Sequence, residues 1–343
     1  MDLRYYRQMA QASPHLAEGV PPPFAFRLLG PWVAGLLPSV YPAGGFLALT
    51  VIASLLIPVF LYRFLIEFGI ERSAAFVAAL LFVFNKHLFG SSVWNFFQVK
   101  DSIGLLCISV CFIAMLRGNW PLFSLSLLVG VLSGEAPLIM VPVLLAYLIE
   151  RRKPGEERRR AALSLLPGIA GFVLLRLLVP AQGGMGLVEA FLHYSQKLRY
   201  RLVWVGLLVN PFIPLVLLPL LYIRDLWRFI KSNIYLVVCF AVVLASTLFG
   251  SNNERLMAPA FIVFYAFIGV IMERYWRGKS WIVFAVAAAC FLASTHHLLA
   301  RYPLPSRAVM RTIAVVMTLS VTFVSYLSSR SQSGRGLGRN LAP

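Results

Sequence analysis

Apolar stretches about as long as a bilayer is thick recur along nearly the whole chain, separated by short arginine-rich breaks. From Gly44 to Leu327 almost every segment is a run of Leu, Val, Ile, Phe and Ala. The mean hydropathy is +0.80, and 59% of residues are hydrophobic against 13% charged. A water-soluble fold of this composition would expose large apolar patches. A helix needs roughly 20 apolar residues to cross the hydrocarbon core, and these runs approach that length. The sequence therefore predicts an all-α, polytopic transmembrane bundle.

The expected spans are 45–66, 73–92, 102–116, 119–133, 136–149, 161–180, 203–223, 234–250, 257–273, 281–299 and 309–328. That makes about 11 membrane helices or half-helices. The shorter runs 102–116, 119–133 and 136–149 suit tilted pieces or half-helices buried in the bundle. The expected organisation is an outer loop with an interfacial helix over 1–44, a helix bundle over 45–328, and a disordered basic tail over 329–343. Within the first segment, Phe24, Phe26, Trp32 and Tyr41 suit the headgroup zone.

Basic residues far outnumber acidic ones, 31 against 13. Because they sit mainly between apolar runs, they read as orientation signals rather than a nucleic-acid surface. With the break at Arg151, Arg152, Lys153, Arg158, Arg159 and Arg160 cytoplasmic, and with every span crossing once, most of the basic residues fall inside. The N-terminus then lies outside, and this reading expects a further membrane helix upstream. Cys107, Cys111, Cys239 and Cys290 all lie in apolar runs and read as small core residues. No nucleotide-binding loop, nucleophile elbow or zinc signature occurs. His296 and His297, being adjacent, point to different helix faces and make a poor metal pair. His15 and His87 have no partner at ligand spacing. One acid near a site is too few to argue a divalent metal, so the sequence names no cofactor.

Charged groups at membrane depth are costly and each invites an explanation. Asp2, beside Tyr5, Tyr6 and Arg7, is either a general base working in a low-water site or a solvated terminal carboxylate. Lys100-Asp101 opens a span, where the acid is either an N-cap or substrate-facing. Glu135, in Gly134-Glu135-Ala136-Pro137, lies at the outer interface or inside the bundle, and Pro137 marks a helix start. Arg255, at the head of a helix, grips a phosphate, pairs with Glu254, or anchors the interface. His193, Tyr194, Lys197, Arg199, Tyr200 and Arg201 suit a basic helix on the membrane surface.

Asp2-Leu3-Arg4-Tyr5-Tyr6 with Met9-Ala10, followed by Pro23-Phe24-Ala25-Phe26-Arg27-Leu28-Leu29-Gly30-Pro31-Trp32, resembles the first outer loop of bacterial GT-C superfamily glycosyltransferases. Lys100-Asp101, Gly134-Glu135 and Glu254-Arg255-Leu256 with Pro259 follow in the same order. The resemblance implies a GT-C-like bundle in the cell (inner) membrane. It implies transfer of a sugar from a polyprenyl-phosphate donor to an acceptor on the extracytoplasmic face. It implies Asp2 as catalytic base, although Leu3 stands where the family often has a second acid. Tyr5, Tyr6, Arg27, Asp101, Glu135 and Arg255 are then substrate-binding candidates. Two other classes are open on the residues alone. One is a transporter or flippase for a lipid-linked or amphipathic substrate, with Arg176 and Glu135 to test; the other is a non-catalytic membrane subunit.

Overall fold

A computed structural model describes residues 2–37, 42–90, 96–179, 183, 187–250, 252–298 and 306–336. Tyr41, Ser251 and the end of the basic tail lie outside the described residues, as do the side chains of Asp2, His87, His296 and His297. The described chain is mostly helical, with no strand among the described residues, as expected where lipid leaves every backbone group to be satisfied within its own segment.

Among the described residues, five helices are long and apolar enough to cross a membrane: Ala43–Glu67, Phe96–Arg117, Gly155–Leu178, Ala258–Trp276 and Arg307–Leu327. Two further pairs, Arg201–Phe212 with Leu215–Leu221 and Ile223–Ser232 with Ile234–Phe249, each qualify only as one span bent by 100°. Four shorter apolar helices are Arg72–Val83, Trp120–Ser133, Ala136–Glu150 and Ser280–Ser294. Helix occurs within each expected apolar run, while the described spans number five, or up to seven if each bent pair is counted. This is the architecture of a multi-pass integral membrane protein.

The 1–44 segment contributes two helices, α1 (Asp2–Ala12) and α2 (Leu29–Leu36). Helix α3 (Pro42–Glu67) then runs the length of the bundle and leads into α4 (Arg72–Val83). Helix α5 (Val99–Arg117) lies against α3 and is mostly enclosed by protein. The last helix, Arg307–Gly336, continues past its apolar part into residues 329–336, where a disordered tail was expected. Nothing in Ser328-Ser329-Arg330-Ser331-Gln332-Ser333 forbids the backbone ladder from extending.

The turn after α5 is written in sequence. Gly118 adopts a left-handed conformation, φ 67°, which its missing Cβ allows. The Asn119 N–H donates to Ala114 O at 2.8 Å and the Gly118 N–H to Met115 O at 3.2 Å, closing the helix. The Asn119 side chain then accepts from the Leu122 N–H at 3.1 Å and caps α6 (Trp120–Ser133), with Pro121 in its first turn. Helices α5 and α6 therefore return on one another as a tight antiparallel hairpin. Further along the hairpin, a Cβ placed on Gly130 would lie 2.7 Å from Pro137 Cγ and 3.0 Å from Cys107 Cβ. Glycine is what lets the two helices and the following turn approach so closely.

Gly130→Val is expected to destabilise the bundle by about 1–3 kcal/mol through overpacking. Gly155→Ala, where a Cβ meets nothing within 4 Å, is expected to be neutral or slightly stabilising. Thermal unfolding of the two variants in detergent checks the contrast.

Candidate functional site

The hairpin register decides where the charges go. With the turn at Gly118, the start of α5 and the end of α6 meet, and Gly134 comes to Lys100, a Cβ on it being 4.0 Å from Lys100 Cβ. Lys100-Asp101 thereby comes to the same corner as Glu135. Lys100 is buried, at 8% exposure, and lies 3.6 Å from Asp101. Asp101 sits in the first turn of α5, whereas Gln98 holds the cap position. The acid is thus well placed for the helix dipole, but it is not the capping residue.

Other segments converge on the same corner. A 3-10 turn, Phe24–Phe26, precedes Arg27, and Gly30 lets α2 close onto Val99 at the head of α5. Arg27 reaches Glu135 at 3.1 Å and donates to the Tyr6 hydroxyl at 3.3 Å. Arg176, in the last turn of α7 (Leu166–Leu178), reaches the other Glu135 oxygen at 3.6 Å. Its guanidinium also stacks on Phe172 at 3.5 Å and on Phe26 at 4.8 Å. Arg255 comes from the short helical turn Asn253–Leu256, capped by Asn252. It lies 3.5 Å from Asp101 and hydrogen-bonds Gln98.

Among the described side chains, the cluster therefore joins Arg27, Lys100, Arg176 and Arg255 to two carboxylates, Asp101 and Glu135. It carries an excess of positive charge in a partly buried setting, where such charge attracts anions strongly. Burial opposes ionisation of Glu135, but Arg27 and Lys100 outweigh it and hold the carboxyl below its ordinary value. Burial likewise works against the charge of Arg27, yet Glu135 and Tyr6 leave its guanidinium above the ordinary value.

Of the expected site residues, Tyr6, Arg27, Asp101, Glu135 and Arg255 meet here. Tyr5 does not join the ion pairs by any described contact; it stacks on Phe24, with ring centroids 5.1 Å apart. Asp2 begins α1, one turn before Tyr6, its side chain lying outside the described residues. Glu254 takes no part in holding Arg255, since it accepts from the Asn210 amide at 3.0 Å. Lys100 and Arg176 complete the cluster. Their signal in sequence was the cost of a cation inside an apolar run.

Lys197 corrects a second expectation. It is not a surface anchor: its ammonium donates to Thr247 O and to Asn253 Oδ1, both at 2.7 Å, and to Gly250 O. It thus caps the end of the helix at 234–249, and burial lowers its pKa. Among the described residues, no group of three or more His, Cys, Asp or Glu side chains gathers as a metal would need. The four cysteines are buried. No family model, curated protein or solved structure matches this chain.

Glu135, lowered in the fold, contributes stability that is complete above the unfolded carboxyl value of about 4.3 and is lost as pH falls through the folded value. Glu135→Gln is expected to remove that acid-side loss. At neutral pH it leaves Arg27 and Arg176 without their shared anion, at a cost of about 1–2 kcal/mol, discounted because the side chain is 34% exposed. Thermal unfolding at pH 7 and at pH 4 reads both effects.

Proposed function

We propose that this chain is an inner-membrane glycosyltransferase of GT-C-like build, with about 11 membrane helices or half-helices. It moves a sugar from a polyprenyl-phosphate donor to an acceptor on the extracytoplasmic face. The observation that carries the reading is the positively charged corner formed by Arg27, Lys100, Arg176 and Arg255 around Asp101 and Glu135. These groups come from segments far apart in sequence, and their excess charge suits a lipid phosphate held at the bilayer edge.

In this scheme the acceptor hydroxyl attacks the anomeric carbon and gives its proton to the Asp2 carboxylate. The bond from that carbon to the phosphate oxygen breaks, its electron pair staying on the phosphate. Arg27 and Arg255 face the charge that grows there as the bond lengthens. A single displacement inverts the anomeric centre, so a trapped covalent sugar–protein adduct would overturn the scheme.

A second reading, a transporter or flippase for a lipid-linked substrate, draws support from the two helix pairs bent by 100°, since broken helices are a recurrent device of transporters. The two readings separate in proteoliposomes. With a radiolabelled polyprenyl-phosphate hexose or pentose, Asp2→Asn is expected to lower transfer by roughly 100-fold or more, and Arg255→Ala by a comparable factor. Undiminished transfer in both variants removes the site assignment. Label exchange across the membrane without transfer selects the transporter.

A further inference from the structure

At the other end of the bundle, helix Ile223–Ser232 (Ile-Arg-Asp-Leu-Trp-Arg-Phe-Ile-Lys-Ser) is bent by 100° from the apolar helix Ile234–Phe249 that follows it. The corner is held by Asn233, whose amide donates to Phe229 O at 3.0 Å. If the apolar helix crosses the bilayer, the preceding helix must lie nearly in the membrane plane.

Helical spacing divides its first nine residues into three faces. The first faces the protein. Asp225 is buried, paired with Arg274 at 2.5 Å and accepting from the Tyr275 hydroxyl at 2.6 Å. Phe229 lies on the same face, its ring 5.5 Å from Phe267 and 6.0 Å from Phe68. The second face is apolar and contains Ile223, Leu226, Trp227 and Ile230, with Trp227 at 58% and Ile223 at 54% exposure. The third is basic: Arg224, Arg228 and Lys231, all exposed. Arg228 shares Asp225 at 3.6 Å, while Arg224 and Lys231 have no carboxylate partner among the described residues, the Lys231 ammonium resting on Trp227 at 4.9 Å.

A helix with one face fixed to the bundle, an apolar face with an interfacial tryptophan, and a cationic face beside it matches a bilayer boundary. The acyl edge takes the apolar face and the headgroups take the cations. The end on which it sits also carries the Arg117–Glu67 pair, opposite the Glu135 corner, and the distribution of basic residues makes this end cytoplasmic.

We propose that Ile223–Ser232 is an in-plane docking helix for anionic lipid headgroups of the cytoplasmic leaflet, read by Arg224, Arg228 and Lys231. This is independent of any sugar transfer at the opposite end. The test uses the full chain in nanodiscs, with Trp227 quenched by brominated lipids and the other tryptophans subtracted through Trp227→Phe. Two uncompensated cations give an expected preference for brominated phosphatidylglycerol over brominated phosphatidylcholine on the order of tenfold. That preference is expected to vanish in Arg224→Gln/Lys231→Gln. In the unmodified chain it is expected to shrink severalfold at 1 M salt, a readout that needs no variant to fold. Equal quenching by the two lipids at low salt overturns the proposal. So does an absence of quenching by either lipid, which would mean that the face is turned to water or to a protein partner.

Discussion

The Glu135 carboxylate is shared between two guanidiniums, one at each oxygen, Arg27 from the α1–α2 connection and Arg176 from the end of α7. A low-dielectric surrounding does not tolerate unpaired charge, so this shared anion sets where those two segments must lie. The position of Glu135 is itself dictated by the α5–α6 hairpin. A left-handed glycine, an asparagine cap and a first-turn proline fix the turn, and the helix lengths then deliver Glu135 to Lys100 and Asp101. An electrostatic corner is thus assembled by turn chemistry some 17 residues away along α5, about 25 Å at 1.5 Å per residue.

The two ends of the bundle solve the same problem differently. At the end with Glu135, four cations meet two acids among the described side chains, leaving a surplus of positive charge in a partly enclosed setting. At the other end, ion pairs such as Glu67 with Arg117 at 2.5 Å and Asp225 with Arg274 are built from neighbouring helix ends. Further cations there project outward. Between the ends, the Asn85 amide donates to Pro211 O at 2.8 Å, and the Asn85 side-chain oxygen accepts from the Leu88 N–H at 2.8 Å. That satisfies one backbone group freed where α4 stops and one at the break between Phe212 and Leu215, as membrane depth demands.

Much of the helix pattern was legible because apolar runs and their breaks report directly on burial in lipid. The break between the runs 102–116 and 119–133 was visible in the apolar pattern, and Asp101, Glu135 and Arg255 stood out as charges whose cost at that depth calls for a partner. Which partner each would choose was not legible. Arg255 is adjacent to Glu254 in sequence, yet it pairs with Asp101, because the helical turn at 253–256 points neighbouring side chains in different directions. Lys197 looked like a headgroup anchor, since carbonyl acceptors such as Thr247 O leave no trace in a sequence. The bend at Asn233 was equally hidden, for an asparagine between two apolar runs signals a break without giving its angle.

The three oxygens that surround the Lys197 nitrogen come from residues 247–253, and together they form a small electronegative basket closed by a single tethered cation. Any change that neutralises or shortens that side chain leaves the oxygens repelling one another with nothing between them. The helical segment from 187 to 199 is thus fastened to the bundle by a buried amine as well as by apolar packing, Phe191 lying against Phe249 and Leu198 against the core.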